Sequence, residues 1–389
     1  MITDIDTRSV AIRHYIKSNQ EQMLDDLRVI VEINSPSEYA DGNNAVGDCL
    51  INLMQDLDLE ISKVDGADFG QHVCCEFENE EKPCLLFCGH MDTVFPLGTE
   101  WPFRIEANRV FGPGVIDMKG GLISLIYAIR ALHFTGDIPV GYKILFNTDE
   151  EQGSLDSKRL IPDLVKGVDF SFIMEPAEPD GSIIIKRKGI GKFEISVTGR
   201  AAHAGKSPET GNNAILEIAH QIIKAEKLAR KKVGTTMNTG VVHGGQSAYI
   251  VPDAVSAVIE SRVWTHDEQK RIGEGMKFLP NKNYVCGTKI RVSGGFHRPP
   301  LIELPGTKML IHAVESAAKD LGMDVRFGGS GAASDGNNIT SFGIPTIDGM
   351  GPVGGREHSH DEYLELNSFY ERTELLACSI LHLSNLFNQ

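Results

Sequence analysis

Apolar runs typical of β-strands stop repeatedly at residues able to bind metal. The runs CLLFCGH, YKILFNTDEE and FSFIMEP end at or next to His90, Glu150, Glu151 and Glu175. Imidazole and carboxylate groups gathered at the carboxyl ends of parallel strands form ligand sites in α/β folds. The chain is therefore limited to folds in which several such strands end at one edge of a sheet, and a metal site is predicted at that edge.

Strand-like and helical patterns alternate through the first half of the chain. Helical periodicity at residues 9–34, 44–58 and 119–134 is interleaved with the apolar runs. This alternation predicts an α/β fold, a mostly parallel sheet with helices on both faces. From Gly191 the order becomes strand, helix, strand, strand, helix, strand, which is the order of a ferredoxin-like α+β module.

The length of 389 residues predicts two domains, because it exceeds what one hydrophobic core usually covers. After Pro299 and Pro300 a helix, a Gly-rich loop, a strand-like run and a long helix follow, as if the first domain resumed. We therefore expect a catalytic domain formed by residues 1–187 and 300–389. Residues 188–299 would form an inserted α+β domain.

Net charge, apolar segments and cysteine content indicate which partners and which cellular compartment to expect. A net charge of -15 and a pI near 5.3 argue against nucleic acid or an anionic membrane as partner, since both require basic patches. The N-terminal segment has no apolar core of signal-peptide length, and no run has the apolar length of a membrane span. Seven cysteines, several inside apolar runs, are expected to be reduced. These features predict a cytoplasmic protein.

The Gly-rich stretch GGSGAASDGNN has the composition of a phosphate-binding loop but not its pattern. It lacks the Lys-Ser/Thr ending of a P-loop and the spacing of a dinucleotide fingerprint. We expect it to form a wall of the substrate pocket. The pattern leaves the role of Asp335 open.

Several motifs, in order along nearly the whole chain, resemble those of the co-catalytic zinc aminoacylase and carboxypeptidase family. They are GHMDTVFP, GPGVIDMKGG, NTDEEQGS, MEP, VTGRAAHAGKSPETGNNAI and GPVGGREHSHDEYL. The family includes bacterial glutamate carboxypeptidases, acetylornithine deacetylase and succinyl-diaminopimelate desuccinylase. The motifs around His203 and His358 are most similar to the glutamate carboxypeptidase branch.

The resemblance implies two zinc ions per chain, although cobalt and manganese also suit mixed nitrogen and oxygen ligands. Asp117 would bridge the two ions, because each oxygen of a carboxylate can bind a different ion. The implied ligand set is His90 and Glu175 on one ion, Glu151 and His358 on the other, and Asp117 on both. His360 is a rival for His358, but the pattern His-Ser-x-Asp-Glu-Tyr favours His358.

The residues beside these ligands have predicted roles of their own. His90 and Asp92 are two apart on an extended segment, so the Asp92 carboxylate is expected to accept the second N–H of the imidazole. Adjacent Glu150 and Glu151 should project in different directions from an extended strand end. The resemblance assigns Glu150 as the general base and Glu151 as a ligand.

The inserted domain is expected, by resemblance, to supply substrate contacts and the dimer contact. His203 matches a histidine that reaches the partner subunit's active site and stabilises the developing oxyanion. Arg262 matches an arginine that binds the free carboxylate of the substrate, and a guanidinium fork suits that task. Tyr249 stands where the family usually has a substrate-contacting asparagine, so the pocket shape should differ.

These expectations describe a di-zinc amidohydrolase that cleaves an N-acyl amino acid or short peptide with a free carboxylate. The released C-terminal amino acid would be one such as glutamate, and the enzyme would be a homodimer. Two alternatives remain open at this point. One is an N-acyl-amino-acid deacylase or dipeptidase of the same chemistry, and the other is a catalytically silent relative that binds a ligand.

Overall fold

Helices and strands alternate along the chain as the apolar pattern predicts. The computed structural model describes residues 4–79, 83–99, 101–136 and 138–388. In those ranges the helices are α1 Asp4–Ser18, α2 Gln20–Glu32, α3 Ala40–Leu53, α4 Gly120–Phe134, α5 Ile161–Leu164, α6 Ala214–Glu226, α7 His266–Lys277, α8 Thr307–Leu321, α9 Asp335–Thr340 and α10 Leu366–Phe387. The strands are β1 Glu60–Asp65, β2 Gln71–Phe77, β3 Cys84–His90, β4 Arg104–Glu106, β5 Arg109–Phe111, β6 Gly141–Asn147, β7 Phe170–Ile173, β8 Ile183–Arg187, β9 Gly189–Thr198, β10 Ala202–His203, β11 Thr236–Gly244, β12 Ile250–Val251, β13 Ala254–Val263, β14 Lys289–Arg298, β15 Phe327–Ser330, β16 Thr346–Ile347, β17 Gly354–Gly355 and β18 Tyr363–Glu365.

The chain divides into two units. The first comprises the chain up to Lys186, then Glu303–Ser330 and the part from Ser334 onward. The second is Arg187–Ile302 together with Gly331–Ala333. The short stretch Gly331–Ala333 was expected in the catalytic domain, but the Arg262 guanidinium donates a hydrogen bond to the carbonyl of Gly331, at 2.7 Å.

The first unit is built on a six-stranded sheet of order β1-β2-β6-β3-β7-β16. The neighbours β6 and β3, β3 and β7, and β7 and β16 are parallel, while β1 and β2 add an antiparallel edge. The predicted α/β class is therefore confirmed: a mostly parallel sheet with helices on both faces.

Strand β3 shows how helices cover both faces of this sheet. Its side chains alternate: Leu85 and Phe87 lie in one buried cluster with α4, α8 and α10, whereas Leu86 and Cys88 lie in a second cluster with residues of α5 and α9. A strand buried on both faces has the continuous apolar sequence seen in this run. Because β3, β6 and β7 are parallel, their carboxyl ends meet at one edge of the sheet.

The second unit has the predicted ferredoxin-like order. Its four-stranded antiparallel sheet runs β11-β13-β9-β14, and helices α6 and α7 follow β9 and β13. The core lies between the sheet and these two helices, where every second residue of β9 and β13 is buried. Helix α7 begins with the predicted cap, because the Thr265 side chain accepts a hydrogen bond from the backbone N–H of Glu268.

The described helices include none that is long and apolar enough to cross a lipid bilayer. All seven cysteines are free thiols.

Candidate metal centre

His90 ends strand β3 with its imidazole almost completely buried. Its Nδ1 lies 2.9 Å from the backbone carbonyl oxygen of Asp92. Since a carbonyl only accepts, Nδ1 carries a proton, and Nε2 is the ring nitrogen that could bind a metal ion. Nε2 lies 3.1 Å from Oδ1 of Asp117 and 3.9 Å from Oε1 of Glu175.

Asp117 faces a second group of ligand atoms with its other oxygen. Oδ2 of Asp117 lies 3.2 Å from Nε2 of His358, and the same nitrogen lies 3.4 Å from Oε2 of Glu151. Two groups of potential metal ligands therefore share Asp117. One contains His90 and Glu175, the other Glu151 and His358, and the ligand atoms within each group lie within 4.8 Å of one another.

The raised pKa values of Glu175 and Glu151 show that their negative charges are not fully compensated by the protein, and a bound cation would compensate them. Burial, reinforced by the charge of Asp117, raises the pKa of Glu175 well above its usual value. Burial likewise raises the pKa of Glu151, although a hydrogen bond with His358 opposes it. Oε1 of Glu151 is buried and has no hydrogen-bond partner among the residues that the structure describes. Buried charges of this kind are normally paired or bound to metal, so the donor set fits divalent ions.

The loop that carries Glu150 and Glu151 differs from the sequence-based expectation. The two glutamates lie in a single 3₁₀ turn, Glu150–Gln152, and not at an extended strand end. Successive residues of a 3₁₀ turn are about 120° apart, so the two side chains still point in different directions.

Asp92 has contacts beyond the expected one with His90. Its carboxylate lies 3.5 Å from Nδ1 of His90, and the shorter contact of that nitrogen is with the Asp92 backbone carbonyl. The carboxylate also accepts hydrogen bonds from Ser37 Oγ at 2.6 Å and from the backbone N–H groups of Glu150 and Glu151 at 3.2 Å. Asp92 therefore anchors the loop of the adjacent glutamates.

Glu362 holds the loop of Asp117 in place, a role that the sequence did not reveal. Its buried carboxylate accepts hydrogen bonds from the backbone N–H groups of Gly114, Ile116 and Asp117, at 3.3, 2.9 and 3.2 Å. Burial raises the pKa of Glu362 to about 8, against the opposing effect of these bonds. Its position inside the motif HSHDEYL was the available signal, but its partners lie some 245 residues away.

Two glycines allow the backbone to approach this site closely. Gly114 has a φ of +70°, in the left-handed region that glycine adopts without strain. At Gly121 an added Cβ would lie 2.0 Å from the carbonyl oxygen of Met174, the residue before Glu175. The peptide bond between Asp117 and Met118 is cis.

His360, the rival ligand, lies apart from both groups. Its ring is 5.4 Å from that of Trp101 and 6.4 Å from that of Phe95, between centroids. His358, in contrast, has a φ of +59° and contacts Asp117 and Glu151.

The remaining predicted site residues belong to the second unit. His203 is exposed, and its Nδ1 accepts hydrogen bonds from the backbone N–H groups of Gly205 and Lys206, at 3.0 and 3.1 Å. Tyr249 is 79% exposed, and its carbonyl accepts from the N–H of Ala204, next to His203. Two of the three predicted substrate contacts, His203 at the end of strand β10 and Tyr249, therefore belong to adjoining segments of this unit.

Arg262 lies on β13, and two of the three guanidinium nitrogens donate hydrogen bonds within the chain. Nε donates to Oε1 of Glu260 at 2.7 Å, and Nη1 donates to the carbonyl of Gly331 at 2.7 Å. The hydrogen bonds of this guanidinium within the described chain use Nε and Nη1, so its Nη2 end could bind a ligand.

Comparison with known proteins agrees with the fold and with the motifs. The sequence model of peptidase family M20/M25/M40 matches residues 86–382. Carboxypeptidase G2 of Pseudomonas sp. (strain RS-16) is 28% identical over 375 residues, which cover 94% of this chain and 90% of that protein.

Solved structures share the architecture. Aminopeptidase PepT of Bacillus cereus superposes with a TM-score of 0.81 at 24% identity, covering 94% of this chain and 99% of that one. The YXEP protein of Bacillus subtilis, described as a dinuclear metal-binding peptidase, gives a TM-score of 0.69 at 16% identity, covering 95% of this chain and 99% of that one. At these identities the likeness concerns the fold.

The family match covers well over half of the chain, and the potential metal ligands lie inside the matched range. The chain belongs to peptidase family M20/M25/M40, and it is a metal-dependent hydrolase of peptides or N-acyl amino acids.

Proposed function

We propose that the chain is a di-zinc amidohydrolase that removes a C-terminal amino acid, such as glutamate, from an N-acyl amino acid or short peptide. The observation that carries the proposal is Asp117, whose two oxygens face two different groups of ligand atoms. The similarity to carboxypeptidase G2 and the description of YXEP as dinuclear support the same proposal.

In this proposal His90, Glu175 and Asp117 would hold one ion, and Glu151, His358 and Asp117 would hold the other. Such ions supply Lewis acidity, which polarises a carbonyl group and lowers the pKa of an attacking water. The protein fixes the ligands through the anchors described above. Asp92 holds the loop of Glu151, and Glu362 holds the loop of Asp117.

Glu150 is the proposed general base. It shares a turn with the ligand Glu151 but is not part of either ligand group, so the proposal gives its carboxylate the proton transfer and not a metal ion. Glu150 would take a proton from the attacking water and deliver it to the leaving nitrogen. A positioned general base of this kind typically accelerates a reaction about 10²–10⁴-fold.

His203 is the proposed donor to the developing oxyanion. Its Nδ1 accepts two backbone N–H groups, so the ring proton of the neutral imidazole is on Nε2. Nε2–H is thus fixed as a hydrogen-bond donor, which is the form that stabilises negative charge on a carbonyl oxygen.

Arg262 is the proposed partner of the substrate carboxylate. Glu260 and the carbonyl of Gly331 fix the guanidinium, and its Nη2 end can donate to both oxygens of a carboxylate together with the second N–H of Nη1. Tyr249 would set the shape of the pocket with an exposed ring and one hydroxyl.

A homodimer through the second unit is part of the proposal. Strand β11 lies at the edge of its sheet, and Val241 and Val242 on it are 41% and 51% exposed. Ile223 on helix α6 is 55% exposed. Edge strands with exposed apolar residues tend to pair with another chain. Sedimentation of the native protein should show a dimer, and a change of Val242→Glu should give monomers.

The test is hydrolysis of a panel of N-acyl glutamates, other N-acyl amino acids and dipeptides by the zinc-loaded protein. Glu150→Gln should lower kcat by about 10²–10⁴-fold while the protein still holds two zinc ions per chain. Glu106→Gln, the same change on an exposed β4 residue, serves as the matched control and should leave kcat unchanged.

The panel also separates the alternatives. Preference for dipeptides would indicate a dipeptidase, and preference for simple N-acetyl amino acids would indicate a deacylase, in both cases of the same chemistry as the proposed carboxypeptidase. Full zinc occupancy without turnover of any substrate would contradict the proposed hydrolysis and favour a ligand-binding protein.

A further inference from the structure

Asp335 is a buried carboxylate for which the proposed mechanism has no role. It begins helix α9 and is 2% exposed. Oδ2 accepts a hydrogen bond from Nδ2 of Asn147 at 2.7 Å, and Oδ1 accepts one from the hydroxyl of Ser154. The Cys88 thiol lies 3.9 Å from Oδ2, and Asn338 Nδ2 lies 3.4 Å from Oδ1.

Two of the donors to Asp335 stand at the two ends of one loop. Asn147 is the last residue of β6, and its carbonyl accepts from the N–H of Met91, directly after His90. Ser154 closes the loop with a φ of +53°, and its N–H donates to the carbonyl of Asp149. Glu150 and Glu151 lie between these ends. The Asp335 carboxylate therefore joins the start and the end of the loop that carries both glutamates.

The centre of the same loop is held by another carboxylate. Asp92 accepts the backbone N–H groups of Glu150 and Glu151. Asp92 and Asp335 are both buried and both act as acceptors, one at the middle of the loop and one at its ends. With all three points fixed, the directions of the Glu150 and Glu151 side chains depend on Asp335 as well as on Asp92.

We propose that Asp335 is a positioning residue for hydrolysis, which acts by fixing the Asn147–Ser154 loop and, through it, the base Glu150 and the ligand Glu151. The inference rests on the proposed function. Groups that orient metal ligands typically change metal affinity or activity about 10–100-fold when they are removed. A purely structural carboxylate would change the stability of the first unit and leave zinc affinity and kcat of the folded protein unaltered.

Exchanging donor and acceptor between positions 147 and 335 tests the proposal. Asn147→Asp alone brings two buried carboxylates to the 2.7 Å contact, where they repel. Asp335→Asn alone keeps the size of the side chain but gives Asn147 an amide neighbour. The double variant Asn147→Asp with Asp335→Asn restores one N–H donor facing one carboxylate, with the direction of the hydrogen bond reversed.

We expect Asn147→Asp to lower kcat about 10–100-fold, with KM for the best substrate changed less than about threefold, because Arg262 is untouched. The affinity for one of the two zinc ions, measured by competition with a chelator, should fall by a similar factor. The double variant should recover both quantities to within about threefold of the native protein. Asp169→Asn is the matched control, since that carboxylate accepts the backbone N–H of Cys84 at the opposite end of β3.

Thermal unfolding of the same proteins separates positioning from folding. Recovery of melting temperature without recovery of kcat and zinc affinity in the double variant would overturn the proposal. Native zinc affinity and kcat in both single variants would overturn it too. If Asn147→Asp does not fold, Asp335→Asn and the double variant carry the comparison. Zinc competition needs no substrate, so failure of hydrolysis in the native protein would count against the proposed function and leave the test of Asp335 intact.

Discussion

The two units each bury acidic side chains, but Glu268 in the second unit is surrounded by enough donors to stabilise its negative charge, whereas Glu151 and Glu175 in the first unit are not. In the second unit, Glu268 accepts hydrogen bonds from Arg230, Arg271 and Thr235, and its hydrogen bond with Arg271 contributes most to lowering its pKa to about 2. In the first unit, burial raises the pKa of Glu151 and of Glu175.

The difference lies in the source of the positive charge. Glu268 has two arginines from its own chain, and Glu217 in the same unit is satisfied by backbone and side-chain donors at Gln221, Tyr284 and Val285. The carboxylates around Asp117 have two histidines, and one oxygen of Glu151 has no partner among the described residues. A buried acid satisfied by its own chain stabilises the fold, whereas one left without protein donors is suited to binding a cation.

The largest expected effect follows from changing the shared ligand. Asp117→Asn removes the group that both ligand sets contain, so we expect fewer than two zinc ions per chain and a fall in kcat of more than about 1,000-fold. Metal analysis and initial rates measure this. An Asp117→Asn protein with two zinc ions and native activity would contradict the claim that the carboxylates around Asp117 form the metal site.

Metal removal should destabilise the first unit specifically. A ligand that binds only the folded state adds about 4 kcal/mol of stability at a free concentration about 1,000 times its Kd. Calorimetry of the native protein with zinc and with a chelator should therefore show a large fall in melting temperature. The Asp117→Asn protein, which is expected to hold fewer zinc ions, should show a smaller difference between the two conditions, and an equal fall there would contradict the assignment.

Without metal, the stability of the first unit should depend on pH. Hydrogen bonds with Asp117 and Glu151 raise the pKa of His358 to about 11. A raised pKa contributes stability that is fully present below the unfolded value of about 6.5 and is lost as the pH rises toward about 11. The melting temperature in chelator should therefore fall from pH 6 to pH 9, and less so in His358→Ala. Glu268, with its lowered pKa, loses its contribution only below about pH 4 and should not affect this window.

The smallest effect is expected in the second unit. Glu268→Gln removes a charged acceptor from Arg230 and Arg271 and should lower the free energy of unfolding by about 1–3 kcal/mol. Zinc content and kcat should stay at native values. Urea unfolding and metal analysis test this, and a loss of zinc would show that the two acidic groups are not independent.

The sequence predicted the parts of the fold that depend on periodicity. The alternating apolar runs indicated both the mostly parallel sheet and the ferredoxin-like order of the second unit. The grouping of His90, Asp117, Glu151, Glu175 and His358 followed from strand ends and from motif resemblance, and their contacts agree with that grouping.

The details that the sequence missed depend on contacts between distant residues. Glu362 and Asp335 act on loops that lie more than 180 residues away, and no local pattern encodes such a pairing. The Glu150–Gln152 turn was expected to be extended, because strand propensity before it gives no information about the hydrogen bonds that its backbone N–H groups donate to Asp92. Long-range anchors of this kind require the folded structure.

The most direct test of the central claim is anomalous X-ray diffraction at the zinc absorption edge, on crystals of the zinc-loaded protein. The account predicts two peaks in each chain, one beside His90 and Glu175, the other beside Glu151 and His358, with Asp117 between them at a separation of about 3.5–4 Å. A single peak, or peaks away from Asp117, would contradict the claim that this carboxylate joins two metal sites.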